Sequence, residues 1–139
     1  MLSAMDISTS GLVAQRMRMN AIAGNLANMS TTRNEYGELE PYQRRFTIFE
    51  TDDAVGSNGA AGVAVASVQS EQSEPLWRYE PDHPDAMKEG PHEGYVAYPN
   101  IKMMTEFTDA IEAARSYEAN LGAMEITKNL EQQTLRILA

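Results

Sequence analysis

The side chains best equipped for chemistry sit together in one segment. EPDHPDAMKEGPHEG, residues 80 to 94, holds the only two histidines, His83 and His92, beside Asp82, Asp85, Glu89 and Glu93. Two imidazoles with two carboxylates are a workable donor set for a divalent metal, so Asp82, His83, Asp85 and His92 define one alternative function, a small metal-dependent enzyme. The same segment contains Pro81, Pro84, Gly90 and Pro91, which write tight turns in which Asp and His are ordinary occupants. The turn reading needs no ligand and takes precedence. Asp52 and Asp53 read as a solvated turn for similar reasons. VGSNGAAG, residues 55 to 62, has the glycines of a phosphate-cradling loop without its lysine and following hydroxyl, and reads as a linker. No glycine-flanked nucleophile is recognisable and cysteine is absent. No catalytic residue, cofactor or metal ligand is therefore assigned, and an enzyme is not expected.

The 139 residues carry 20 acidic and 11 basic side chains, a formal net charge of -9. A phosphate backbone gains its affinity from lysine and arginine, so no nucleic-acid partner is expected. Hydrophobic residues make up 42% of the chain, ordinary globular usage that supports one modest core. No window approaches the roughly 18 uninterrupted apolar residues of a membrane span, and no direct membrane insertion is expected. Met1 to Asn20 lacks an early basic charge and is broken by Asp6, Gln15, Arg16 and Arg18, which predicts export, if any, without a cleaved signal peptide.

The charge is unevenly placed. Residues 34–99 hold thirteen acids, four bases and every proline, whereas residues 1–33 and 100–139 are nearly balanced. The two ends follow a different pattern from the middle. Met5, Ser8, Leu12, Gln15, Met19, Ile22, Leu26 and Met29 recur at steps of three and four, the stripe of a helix that packs against another helix. Asp6, Ser8, Thr9 and Ser10 are all competent N-caps, and Gly11 is awkward if the helix starts before them. Asn28 is placed to end it. From Met103 through Phe107, Ala110, Ala114, Tyr117, Leu121, Met124, Lys128, Glu131, Leu135 and Leu138 the same step runs to the last residues without proline.

That second helix would be roughly 50 to 60 Å long at about 1.5 Å per residue. A globule of this chain length is only about 30 to 40 Å across. The helix must protrude or be covered by another subunit. Ile111, Ile126, Leu130 and Ile137 widen its apolar surface beyond what one helix partner buries. Between the helices, PYQRRFTIF and GVAVASVQ have the alternation of strands, with Tyr42, Arg44, Phe46 and Ile48 on one face. Two or three strands are expected. The fold class is α+β: long N- and C-terminal helices pairing as an antiparallel coiled coil, with a small β-rich middle domain.

SGLVAQRMRMNAIAGNLANMSTT, residues 10 to 32, resembles the N-terminal signature of flagellar axial proteins. GYVAYPNI, residues 94 to 101, and EAARSYEANLGAMEITKNL, residues 112 to 130, resemble the closing signature of the proximal basal-body rod family, FlgC type. EPYQRRF, GVAVASV and YEPDHPDA are similar to that family's middle, while the Met87–Glu93 passage is longer than its usual one. The resemblance implies a structural subunit of the bacterial flagellar rod, the shaft that carries motor torque to hook and filament. Residues 1–33 and 100–139 would form an inner coiled-coil domain and residues 34–99 an outer β-rich one. Partners would be copies of itself, rod proteins of the FlgB, FlgF and FlgG types, the base component FliE and the flagellar type III export apparatus, with assembly in the periplasm.

On that basis Leu12, Met19, Ile22 and Leu26 are expected in the seam of the first helix, with Phe107, Ile111, Leu121, Leu135 and Leu138 as the counterpart. Gly24 would let a helix approach closely. Asn25, Asn28 and Asn120 would cap or hydrogen-bond between helices. Arg115 and Glu118, three apart, would serve contacts between subunits more than each other, and Tyr117 would join the packing surface.

Overall fold

The computed structural model describes residues 2–55 and 60–138. Proline-free sequence up to position 40 lets the first helix, α1 (Leu2–Ala27), begin ahead of all four candidate caps. Thr9 and Ser10 then lie inside it, and their hydroxyls donate back to the carbonyls of Met5 (2.8 Å) and Ile7 (2.7 Å). Asn28 closes the helix, its amide N–H and its side-chain Nδ2 both donating to Gly24 O at 3.1 and 2.9 Å.

Two antiparallel hairpins follow. Strands β1 (Arg45–Asp52) and β2 (Gly62–Ser70) pair from Arg45↔Ser70 to Asp52↔Gly62, with a bulge between Ile48 and Phe49. The bulge breaks the alternation, so Ile48 and Phe49 are both exposed. Strands β3 (Leu76–Tyr79) and β4 (Tyr95–Tyr98) form the second hairpin. The described residues form four strands where two or three were expected, because β3 and β4 are only four residues each. Part of VGSNGAAG, residues 56–59, lies outside the described residues.

The closing helix, α2 (Met103–Leu138), has 36 residues against 26 in α1. Its contacts with α1 run antiparallel: Thr9 meets Met124, Arg18 meets Glu112, and Asn25 meets Glu106. Gly11 lies against Asn120, so close that a Cβ there would stand 2.8 Å from Nδ2. That approach is why a glycine is tolerated in the helix interior. The α1–α2 alignment leaves the last turns of α2 beyond the start of α1 by about 15 Å. Leu130, Leu135 and Ile137 are exposed there, Ile137 by 84%.

β1 and β2 pack on α1, whereas among the described residues no such packing joins β3 or β4 to either helix. The α+β class therefore holds, with two helices and two small sheets among the described residues. The buried apolar residues are few and mostly small: Ala14, Ile22, Val96 and Ala113. The chain presents 9612 Å² of accessible surface, where a compact monomer of this mass would present about 7,200 Å². No helix among the described residues is long and apolar enough to cross a membrane.

Candidate functional site

The largest fully buried side chains include a carboxylate and an amide, Glu106 and Asn25, both 0% exposed. An isolated buried charge is very costly, so their surroundings must satisfy them. Asn25, in the last turn of α1, uses its whole hydrogen-bonding capacity. Its Oδ1 accepts from the Arg45 amide at 2.8 Å and from the Tyr42 hydroxyl at 3.3 Å. Its Nδ2 donates to the Arg45 carbonyl at 2.8 Å and to Glu106 Oε2 at 2.9 Å. The amide thus pairs with both backbone groups of Arg45, as a neighbouring strand would, and docks the start of β1 on α1.

Glu106, in the first turn of α2, accepts from Arg44 Nε through its other oxygen at 2.5 Å. The Arg44 guanidinium fans out further, to Asp109 at 3.1 Å and Glu71 at 3.3 Å. Burial alone would lower the pKa of Arg44, but hydrogen bonds to Glu106 and Glu71 outweigh it and the net shift is upward. Arg18 extends the network along the helices, 3.2 Å from Glu112 and 3.9 Å from Asp109. One polar node therefore ties α1, α2 and the first hairpin at a single point.

The segment with the metal-like donor set is occupied otherwise. Asp85 accepts from the Thr32 hydroxyl (2.7 Å) and from Arg33, whose Nε lies 2.7 Å away. The His92 ring stacks on Trp77 with centroids 4.0 Å apart and planes 7° apart. His83 Nδ1 accepts from the Asp85 amide at 3.0 Å. No cluster of three or more potential ligands exists among the described residues. Asp52 Oδ1 accepts from the Ala54 amide at 3.0 Å, as in a turn. Gly90 and Gly94, at φ of 97° and 79°, shape the long passage before β4.

Hydrogen bonds from Thr32 and then Arg33 hold the Asp85 carboxyl below its ordinary value of 3.8. A group depressed by folding stabilises the fold above its unfolded pKa and loses that contribution as pH falls through the lower folded value. Acidification below the ordinary carboxyl range is therefore expected to weaken the tie between this loop and the chain just after α1. Fluorescence of Trp77, the only tryptophan, should report the step, since it lines the same cleft as Thr32 and Asp85. Asp85→Asn should abolish the step.

Of the residues expected to pack, Ile22 and Asn25 are buried and Leu12, Met19, Leu26, Tyr117 and Asn120 half-buried. Gly24 faces the Tyr42 hydroxyl and not α2, because the chain ahead of β1 crosses α1 there. The counterpart residues do not lie against α1. In this chain Phe107, Ile111, Leu121 and Leu135 are exposed, and the side of α2 towards α1 carries Glu106, Ala113 and Asn120. The Leu138 side chain lies outside the described residues. At roughly 100° per residue, Met104, Phe107, Ile111 and Ile126 lie on the side opposite Glu106 and Ala113. Exposed Arg115 and Glu118 share that outward side, and among the described residues no ion pair joins them. Arg44, Glu106, Asp109 and Arg18 had no signal as a network in the sequence; only Asn25 did, through its motif.

Both terminal segments match families of flagellar rod proteins. Residues 5–33 match the family described as flagella basal body rod protein, and residues 92–137 the one described as flagellar basal body rod FlgEFG protein C-terminal. Whole-length relatives are more particular. The flagellar basal-body rod protein FlgC of Borreliella burgdorferi is 34% identical, covering 99% of this chain and 97% of its own. FlgC of Bacillus subtilis is 36% identical over 96% and 95%, and FlgC of Salmonella typhimurium 35% over 99% and 97%. The chain belongs to the FlgC family of flagellar basal-body rod proteins, and is a structural rod subunit, not an enzyme.

Proposed function

We propose that the outward side of α2 and its overhanging end are the surfaces through which this subunit builds a helical rod. The observation that carries this reading is a helix whose richest apolar side has no partner element among the described residues. α1 covers the side of Ala113, while Met104, Phe107, Ile111 and Ile126 stay exposed opposite it, an arrangement suited to a third helix from another copy. A head-to-tail contact that does not close generates a helical filament. The paired helices form the inner, coiled-coil layer and residues 34–99 the acidic outer one. Neighbours are copies of this chain and rod subunits of the FlgB, FlgF and FlgG types, with FliE at the base, all delivered to the periplasm by the flagellar type III export apparatus. The assembled shaft transmits motor torque to hook and filament.

Electron microscopy of basal bodies tests the assignment. A strain lacking this chain should assemble no rod and fail to swim, and the wild-type chain should restore both. His83→Ala with His92→Ala should restore both as well. Complete rods in the deletion strain would sink the proposal, and failure of the double histidine variant, if it is folded and exported, would revive the metal reading.

A further inference from the structure

The apolar contact between α1 and α2 is poorly equipped to define how the helices align. Its buried members are Ala14, Ile22 and Ala113, and around them stand Ala21, Ala110 and Ala114. Apart from Ile22 these are methyl-sized knobs, which fit nearly as well one turn up or down, unlike the large interlocking side chains that fix register in most helix pairs. The polar node behaves differently. Moving α2 by one turn in either direction would bring Glu106 opposite Ala21 or Met29, neither of which has a side-chain donor. Asn25 would face Ala110 or Lys102, and Arg44 would lose its two carboxylate partners on α2, Glu106 and Asp109.

We propose that the Asn25–Glu106–Arg44 node is a register lock: it selects one alignment of the helix pair and one seating of the β1–β2 hairpin on it. A buried ionic group contributes little net stability against apolar side chains of similar volume, while a single buried polar residue can exclude alternative alignments. Asn25 has all four hydrogen bonds made and both Glu106 oxygens are taken. The selection is therefore sharp, because any slip leaves several buried groups unpaired at once.

The absence of cysteine makes the register directly measurable. A Cβ at Gly11 would lie 3.2 Å from Asn120 Cγ, close to the separation of Cβ from the partner sulfur in a disulfide. Gly11→Cys with Asn120→Cys therefore reports the native alignment, and Gly11→Cys with Ser116→Cys or Met124→Cys reports a slip of one turn either way. With the node intact the native pair should oxidise at least tenfold faster than either offset pair. In the background Asn25→Leu, Arg44→Met and Glu106→Leu, with helix content by circular dichroism retained, the preference should fall below threefold. A preference that stays tenfold there would overturn the lock. If the triple background loses its helix signal, Glu106→Gln is measured in its place. A rise in offset crosslinking then supports the lock, and an unchanged preference overturns it.

Discussion

Asn25→Ala should be among the most damaging single substitutions in this chain, although it deletes only a small side chain. It leaves the Arg45 amide and carbonyl without their partners and takes the donor from one oxygen of buried Glu106. Buried groups stripped of partners cost about 1 to 3 kcal/mol each, and a broken buried ionic network about 3 to 5. These overlap, so a loss of about 3 to 5 kcal/mol is expected. Single domains are typically stable by only about 5 to 15 kcal/mol. Urea unfolding followed by circular dichroism should place the variant's midpoint far below that of the wild type. A change equivalent to less than about 1 kcal/mol would mean that water or rearranged side chains satisfy the node.

The second large effect separates folding from assembly. Ile111→Asp and Leu121→Asp alter side chains that are 56% and 43% exposed. Folding of the isolated chain should change by no more than about 1 kcal/mol, helix propensity being the main contribution. In a rod whose neighbours cover these positions, the same carboxylates would be buried without partners at a cost of several kcal/mol per contact. A polymer repeats that cost at every subunit. Both variants should therefore fold and be exported, yet leave cells without complete rods and unable to swim. Normal swimming by Ile111→Asp would show that the outward side of α2 is not an interface.

The sequence pattern made the two helices legible to within a few residues at each end except at the start of α1, where side chains competent as caps sat inside the helix. It also implied that α2 outruns its partner. It did not say which side of α2 faces α1. A hydrophobic stripe records every surface that is eventually buried, and the richest one, through Phe107 and Ile111, points away from α1. The true contact passes through Glu106, one residue before Phe107, and through alanines. The node was not legible because its members stand up to 81 positions apart. Arg44 and Glu106 look like any surface charges until β1 is laid across the end of the helices. The motif around Asn25 identified one member without its partners.

The accessible surface exceeds that of a compact protein of equal mass by an amount on the order of 2,000 Å². Obligate interfaces fall in that size range. Much of the driving force that a self-sufficient domain realises on folding is thus deferred until molecules meet. Stability then becomes a collective quantity governed by mass action: the apparent melting temperature should climb with protein concentration, and no single value describes the subunit. Dilution should loosen it, and incorporation into the rod should complete its folding energetics.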